Sequence, residues 1–280
     1  MELKKRKKRR LRFLTVCVLA VAAAMIATDS RLLVRHYEIE TDRVTAPVRI
    51  ALISDLHSCN YGEGQQELLT AVAAQSPDVV LLGGDIVDDE PRMPQENAYT
   101  AVRGLAERWP TYYVSGNHEY WSGEIEAIKE RVSDCGAVLL EGDCLRLSVR
   151  GQTLLLGGLD DPAVGEATWA SQLEQVDRTV DPTLFSILLT HRPERVEAYQ
   201  GTSFDLVLAG HAHGGQWRVP GLINGLIAPN QGLFPAYAGG RYDLGGPTMI
   251  VSRGLAREST CIPRVCNRPE LVIIDVMPLP

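Results

Sequence analysis

The chain reads as an α/β protein, with sheets covered by helices in one domain, and three features predict this. Apolar strand-length runs alternate with helix-length segments along most of the chain. The runs are continuous rather than polar at every second residue, which marks sheets with both faces covered. No internal repeat or low-complexity linker breaks up residues 37–280. A length of 280 residues suffices for a sizeable core, and 45% hydrophobic with 22% charged residues is an ordinary globular composition.

The elements follow in order. VRIALIS (48–54) is a buried strand, and 64–75 is a helix ended by Pro77. DVVLLGG (78–84) and TYYVSG (111–116) are further strands, with helices over 94–108 and 122–134. The pattern then shifts to short strands split at Gly142-Asp143 and Gly151-Gln152, which read as hairpin turns. A helix over 167–175 leads to strands at 184–190, 204–210, 247–252 and 270–276.

The N-terminus differs from the rest. KKRKKRRLR precedes sixteen uncharged residues, 13–28. A spanning helix needs about 20 apolar residues, and snorkelling of Arg12 and Arg31 extends this one. The basic bias places the N-terminus in the cytoplasm and the remainder on the outer face. The expected layout is a basic cytoplasmic tail over 1–12, a single-pass transmembrane signal anchor over 13–28, a juxtamembrane segment over 29–46 and one domain over 47–280. Cleavage at a small-x-small site such as Ala20-Val21-Ala22 is the alternative, and gives a secreted domain.

Eight of the 28 Lys and Arg lie within residues 4–12, and Glu2 is the one acid of 35 that early, so residues 13–280 carry 20 basic and 34 acidic groups. An acidic body with no basic run is no nucleic-acid surface, and no nucleic-acid partner is expected. Cys135 with Cys144, and Cys261 with Cys266, have spacings for local disulfides in an exported domain, with Cys59 odd; five reduced, packed cysteines are the equal alternative.

Five apolar strands run into metal-competent residues. Residues 48–54 lead into Asp55 and His57, 78–84 into Asp85, and 111–116 into Asn117 and His118; 184–190 lead into His191, and 204–210 into His211 and His213. In open α/β sheets the ligand crevice lies outside the carboxyl ends of the strands. Five of the six histidines therefore gather at one rim, His36 being the exception. Imidazole and carboxylate without thiolate suit Mn, Fe, Zn or Co. Asp55, His57, Asp85, Asn117, His191, His211 and His213 are too many for one tetrahedral ion and fit two ions sharing a bridging carboxylate. Two ions roughly 3.5–4 Å apart clamp a phosphoryl group and activate a bridging water.

DLH, GGDIVDD, GNHE, LLTH and GHAHGG, at these spacings over residues 48 to 216, resemble the five signatures of the calcineurin-like metallophosphoesterase superfamily. The C-terminal stretch, together with the N-terminal segment, is similar to a bacterial branch of membrane-associated phosphoesterases, some of which act on UDP-2,3-diacylglucosamine. The resemblance implies an αββα sandwich, two packed mixed β-sheets flanked by helices, over 47–280. It implies that Asp55, His57 and His213 hold one divalent ion, that Asn117, His191 and His211 hold the second, and that Asp85 bridges them. It also implies hydrolysis of a phosphate ester by a metal-bridging hydroxide. Read as an extended segment, GHAH lets His211 and His213 face the metals while Ala212 points away. His118 points to the substrate, to protonate the leaving oxygen or stabilise phosphoryl charge. Glu119 or Asp88 can orient it, or be a plain solvated carboxylate.

One position departs from the protein serine/threonine phosphatases of the superfamily, which place a phosphate-holding arginine after GDxVD. Here that residue is Asp89. A dianionic monoester loses a cation there, which favours a diester or pyrophosphate. The Gly-rich stretch 214–246 is expected to be a hairpin and loop on the core, or an apolar lip for a lipid-linked phosphate; Arg218, Arg241 and Arg253 are candidate phosphate contacts. A phosphomonoesterase, a non-catalytic metal-binding module and a nuclease are the rival readings. The filled ligand set speaks against the second and the acidic body against the third.

Overall fold

The run 48–54 forms β2, Val48–Ile53, in a computed structural model that describes residues 2–257 and 262–279. Its side chains alternate between two cores: Ile50 and Leu52 enter one, Ala51 and Ile53 the other. Both faces are covered, which is why the run has no polar alternation.

Strands and helices are numbered in chain order. The first sheet has the order β1 (Leu33–Thr41), β14 (Glu270–Pro278), β2, β3 (Val79–Gly83), β4 (Thr111–Val114) and β5 (Val138–Leu139). β2 to β5 run parallel, and β14 is antiparallel to β2 and parallel to β1. The second sheet has the order β12 (Gly240–Asp243), β13 (Thr248–Val251), β9 (Leu206–Ala209), β8 (Ser186–Leu189), β7 (Gln152–Gly158) and β6 (Asp143–Val149). β10 (Ile227–Ala228) and β11 (Gly232–Leu233) form a small separate hairpin.

Between the sheets, Ile50, Leu52 and Leu81 meet Leu156, Ile187 and Leu208. Each such aliphatic removed from water contributes about 1.5–3 kcal/mol. On the first sheet's other face lie α2 (Gln66–Gln75), α3 (Gln95–Ala106) and α5 (Ile125–Asp134), which bury Leu68, Val102 and Ile128. α6 (Glu166–Arg178) and α7 (Val196–Gln200) cover the second sheet with Trp169, Val176 and Tyr199. Two mixed sheets flanked by helices are thus the architecture. A short helix, α4 (Asn117–Trp121), opens directly from the end of β4 and displaces the start expected for the next helix.

Several expectations are corrected. Residues 33–41, within the segment expected to be juxtamembrane, form a sheet strand, with Tyr37 and Ile39 turned inward and His36, Glu38 and Glu40 outward. Glu2–Ala27 forms one helix, α1, and among the described residues no helix is long and apolar enough to cross a membrane, so the anchor expected over 13–28 is not shown. Sixteen residues rising 1.5 Å each span about 24 Å against a hydrocarbon core of about 30 Å. Cys135 and Cys144 are both free thiols, and Cys135 is buried at the end of α5 as a small hydrophobe. The alternative pair, Cys261 with Cys266, lies outside the described residues because Cys261 does.

Candidate metal centre

The loops after β2, β3, β4, β8 and β9 meet at one rim, because both sheets present their parallel strands' carboxyl ends there. Backbone bonds knit them together. The Asp55 and His57 amides donate to the Gly84 and Asp85 carbonyls at 3.0 and 2.9 Å, and the Gly210 amide to the His191 carbonyl at 3.1 Å. Bonds also cross between the sheets: the His211 amide donates to Asp55 Oδ1 at 2.8 Å, and His191 Nδ1 meets the Gly83 carbonyl at 2.7 Å.

All seven expected ligands are buried in this rim. One donor atom each from Asp55, His57, Asp85 and His213 lie within 4.8 Å of one another, and so do those of Asp85, His191 and His211. Asp85 belongs to both groups; its Oδ2 is 3.1 Å from His191 Nε2 and 3.7 Å from His57 Nε2. His57 Nδ1 and Nε2, Asp85 Oδ2, Asn117 Oδ1, His191 Nε2, His211 Nδ1 and His213 Nδ1 are buried without a hydrogen-bond partner among the described residues. Leaving so many buried polar atoms unsatisfied costs about 1–3 kcal/mol each, unless a cation meets them. The donor set fits a dinuclear divalent site: hard oxygens, borderline imidazoles and a shared carboxylate.

The electrostatics agree. Burial and the neighbouring His191 charge hold His211 well below the usual imidazole range; burial and His57 do the same to His213. Both are thus neutral, the form that binds metal. Burial opposes the charged form of His191, but Asp85 and Asp55 outweigh it and push the imidazole up to about 10.

Backbone conformation accounts for how side chains so close in sequence converge. GHAH is not extended: His211 and His213 have φ of 65° and 48° on either side of a right-handed Ala212, and His213–Gly215 is a 3-10 turn. Asp55, His57 and Asp85 share this left-handed region, with φ of 51°, 48° and 51°. Such residues cost about 1–3 kcal/mol each and cluster where function over-determines the backbone. The tight approach requires Gly210, since a Cβ there would lie 1.7 Å from Ser54 Oγ, whose hydroxyl donates to Asp55 Oδ2.

His118 lies beside this centre, partly exposed, with its amide on Asp85 Oδ1 at 2.9 Å. Its Nδ1 meets Asp89 Oδ1 at 2.6 Å and Asp88 Oδ1 at 3.4 Å. Burial opposes its charging, but the contact with Asp88 and the charges of Asp85, Asp88 and Asp89 raise it to about 9. The residue in the place of the phosphatase arginine is thus the histidine's nearest partner. Asp88 is no solvated carboxylate: it is buried, 3.2 Å from His57 Nδ1. Glu119, in contrast, holds backbone rather than His118. Its fully buried carboxylate accepts the amides of Asp85, Ile86, Val87 and Gly116 at 2.7–3.1 Å and pins the loop after β3.

Sequence reading missed a further network. His211 Nε2 lies 2.9 Å from Asn230 Oδ1, which also accepts from Arg192 Nη1 at 2.7 Å, and Arg192 is itself held bidentately by buried Asp161 at 2.5 and 3.0 Å. Arg192 Nη1 also lies 3.2 Å from the same Nε2, so both groups hold that edge of the ring and leave the buried Nδ1 to a metal. Arg192 follows His191 directly, which is the one signal the sequence carried for it. Of the three arginines expected near phosphate, Arg218 and Arg253 come together beside the site, whereas Arg241 turns to the Glu38 carbonyl at 3.0 Å.

Comparison with known proteins agrees with this geometry. Residues 48–215 match the family model described as calcineurin-like phosphoesterase. An uncharacterized metallophosphoesterase, Cj0846 of Campylobacter jejuni, is 30% identical over 252 residues, covering 87% of this chain and 63% of that protein. One from Helicobacter pylori is 29% identical over 65% of this chain and 49% of its own length, so the chain spans roughly half to two thirds of these relatives. The phosphodiesterase YaeI of Escherichia coli is 27% identical over 92% of this chain and 97% of its own. The chain belongs to the calcineurin-like phosphoesterase family.

Proposed function

We propose that this chain hydrolyses a phosphodiester or pyrophosphate bond at a dinuclear centre. Asp55, His57 and His213 would hold one divalent ion, Asn117, His191 and His211 the other, with Asp85 shared. The observation that carries the reading is the set of buried, partnerless donor atoms grouped about one common carboxylate. The ions supply charge neutralisation of the phosphoryl oxygens and a water acidified for attack.

The chain's own residues do the rest. With Nδ1 engaged by Asp89, His118 has Nε2 left to give a proton to the leaving oxygen. Asp88 and Asp89 keep the imidazole charged for that step and fix its ring. The same two carboxylates disfavour a dianionic monoester, which carries more negative charge into their field than a diester does. The similarity to the YaeI phosphodiesterase supports the same preference.

The test is turnover of bis(p-nitrophenyl) phosphate against p-nitrophenyl phosphate by the metal-stripped, manganese-reloaded chain, with Asp85→Asn as blank. Manganese-dependent turnover favouring the diester is expected; preference for the monoester overturns the reading of Asp89. Manganese is the test ion; iron, zinc and cobalt suit the donor set equally.

Localisation at a membrane belongs to the same proposal. Phe13, Leu14, Val18, Leu19, Met25 and Ile26 stand 62–73% exposed on α1, beyond the exposed basic residues Arg6, Arg9, Arg10 and Arg12. Apolar side chains that find no protein partner here find one in lipid, with the domain on the extracytoplasmic side. A lipid-linked substrate fits that placement, supported by the exposure of Leu222, Leu233 and Phe234. Retention of the full chain in the membrane pellet after alkaline carbonate is expected; recovery in the supernatant overturns the localisation.

A further inference from the structure

A second cleft, of about 460 Å³, is lined by Arg35, Arg218 and Arg253; it borders the metal centre through Arg218, which bonds the Gly214 carbonyl next to His213, and through Gly254, which follows Arg253 and packs against Asp55. Arg35 comes from β1, Arg218 from the turn after His213, and Arg253 from the end of β13. Among the described residues one acid answers these three cations. Glu270 is fully buried, 3.2 Å from Arg253 Nε and 3.8 Å from Arg35 Nε. Neither contact is a formed hydrogen bond: Arg35 Nε, Arg253 Nε and both Glu270 oxygens are buried without one.

Arg218 is held in place without neutralisation. It donates Nη1 to the Gly214 carbonyl at 3.0 Å and Nη2 to Asn224 Oδ1, both neutral acceptors. Burial and the Arg253 charge bring its guanidinium down to about 10, with the Glu270 charge opposing them. Among the described residues, three guanidinium groups facing one carboxylate leave an excess of positive charge in a cleft of an otherwise acidic body. Forked guanidinium donors match phosphate oxygens. The rim is apolar, with Leu222 81% exposed, and the Cys266 amide beside it bonds the Ala27 carbonyl at the end of α1.

We propose that this cleft binds a phosphate group other than the one being cleaved. The inference deepens the phosphoester reading by adding a second anionic subsite next to the first. The phosphate has two sources: a second phosphate of the substrate, or the headgroup of an anionic lipid in the membrane surface where α1 would sit.

The experiment titrates inorganic pyrophosphate into the full-length, metal-free Asp85→Asn protein by calorimetry, so that neither catalysis nor the metal centre contributes. Saturable binding is expected, weakened tenfold or more by Arg218→Gln and by Arg35→Gln, and falling steeply with added salt. Arg253 is left in place because it neutralises buried Glu270. Circular dichroism and Tm verify folding, and Arg241→Gln, outside the cleft, serves as control. Absent binding, or equal affinity in Arg218→Gln and the parent, overturns the proposal while leaving the metal-centre reading intact. Two arms in the metal-loaded protein then assign the source. A rise in KM exceeding the fall in kcat, for a pyrophosphate-containing substrate in Arg218→Gln, identifies the substrate's own phosphate. Sedimentation with phosphatidic acid but not phosphatidylcholine vesicles, lost in Arg218→Gln, identifies the lipid.

Discussion

At Asp85 a single carboxylate has two groups of donors around it, and the consequence is measurable without any substrate. Asp85→Asn keeps the shape but removes the charge both ions would share. Bound manganese should fall from two per chain to one or fewer by elemental analysis; two ions retained at full affinity would refute the shared role. Asp89→Asn keeps a partner for His118 Nδ1 but weakens its hold on the charged ring. Turnover should fall on the order of 10–100-fold, more for an alkyl leaving group than for p-nitrophenolate, since only the former needs the proton. An equal loss on both would reduce Asp89 to a packing role. Asn230→Ala deletes the acceptor that orients His211. Metal affinity should weaken about 10–100-fold, the usual cost of losing a partner behind a ligand, and direct metal titration reads it.

Among the elements, the loop after β9 is the most constrained. It must turn within His211–Gly215, carry two ligands in left-handed conformations and pass against Ser54. Gly210→Ala forces the Ser54–Asp55 segment away from the rim. Stability should fall by about 2–4 kcal/mol, with metal binding lost alongside. Denaturant unfolding checks the first and titration the second; unchanged metal affinity would show that the loop can shift without moving Asp55. Glu119 plays the corresponding part across the rim, four amides on one buried carboxylate holding the loop that bears Asp85.

For the whole molecule, the interface between the sheets sets how rigidly the two halves of the site face each other. The first sheet carries Asp55, His57, Asp85 and Asn117; the second carries His191, His211 and His213. Ions held by both halves cross-link the sandwich. Chelation should therefore lower Tm by roughly 10 °C, given about 4 kcal/mol for a ligand at a thousandfold excess over its Kd and 2–4 °C per kcal/mol at this size. Scanning calorimetry with and without chelator reads this, and an unchanged Tm would argue that the site is not loaded.

Strand positions and the gathering of the seven candidate residues at one rim were legible in the residues alone. Continuous Val-Ile-Leu runs have few ways to bury both faces, and a ligand at a strand's end inherits its position from the sheet. β1 was legible too, in the alternation of Tyr37 and Ile39 with His36, Glu38 and Glu40, although the first strand expected began at residue 48. Which carboxylate touches His118, what Glu119 holds, how Asn230 reaches His211 and why three arginines share one cleft were decided only by tertiary structure. Each is a contact between loops distant in sequence, where left-handed turns rather than periodicity set the direction of a side chain. Periodicity constrains segments that repeat; it says nothing of where a turn aims a single carboxylate.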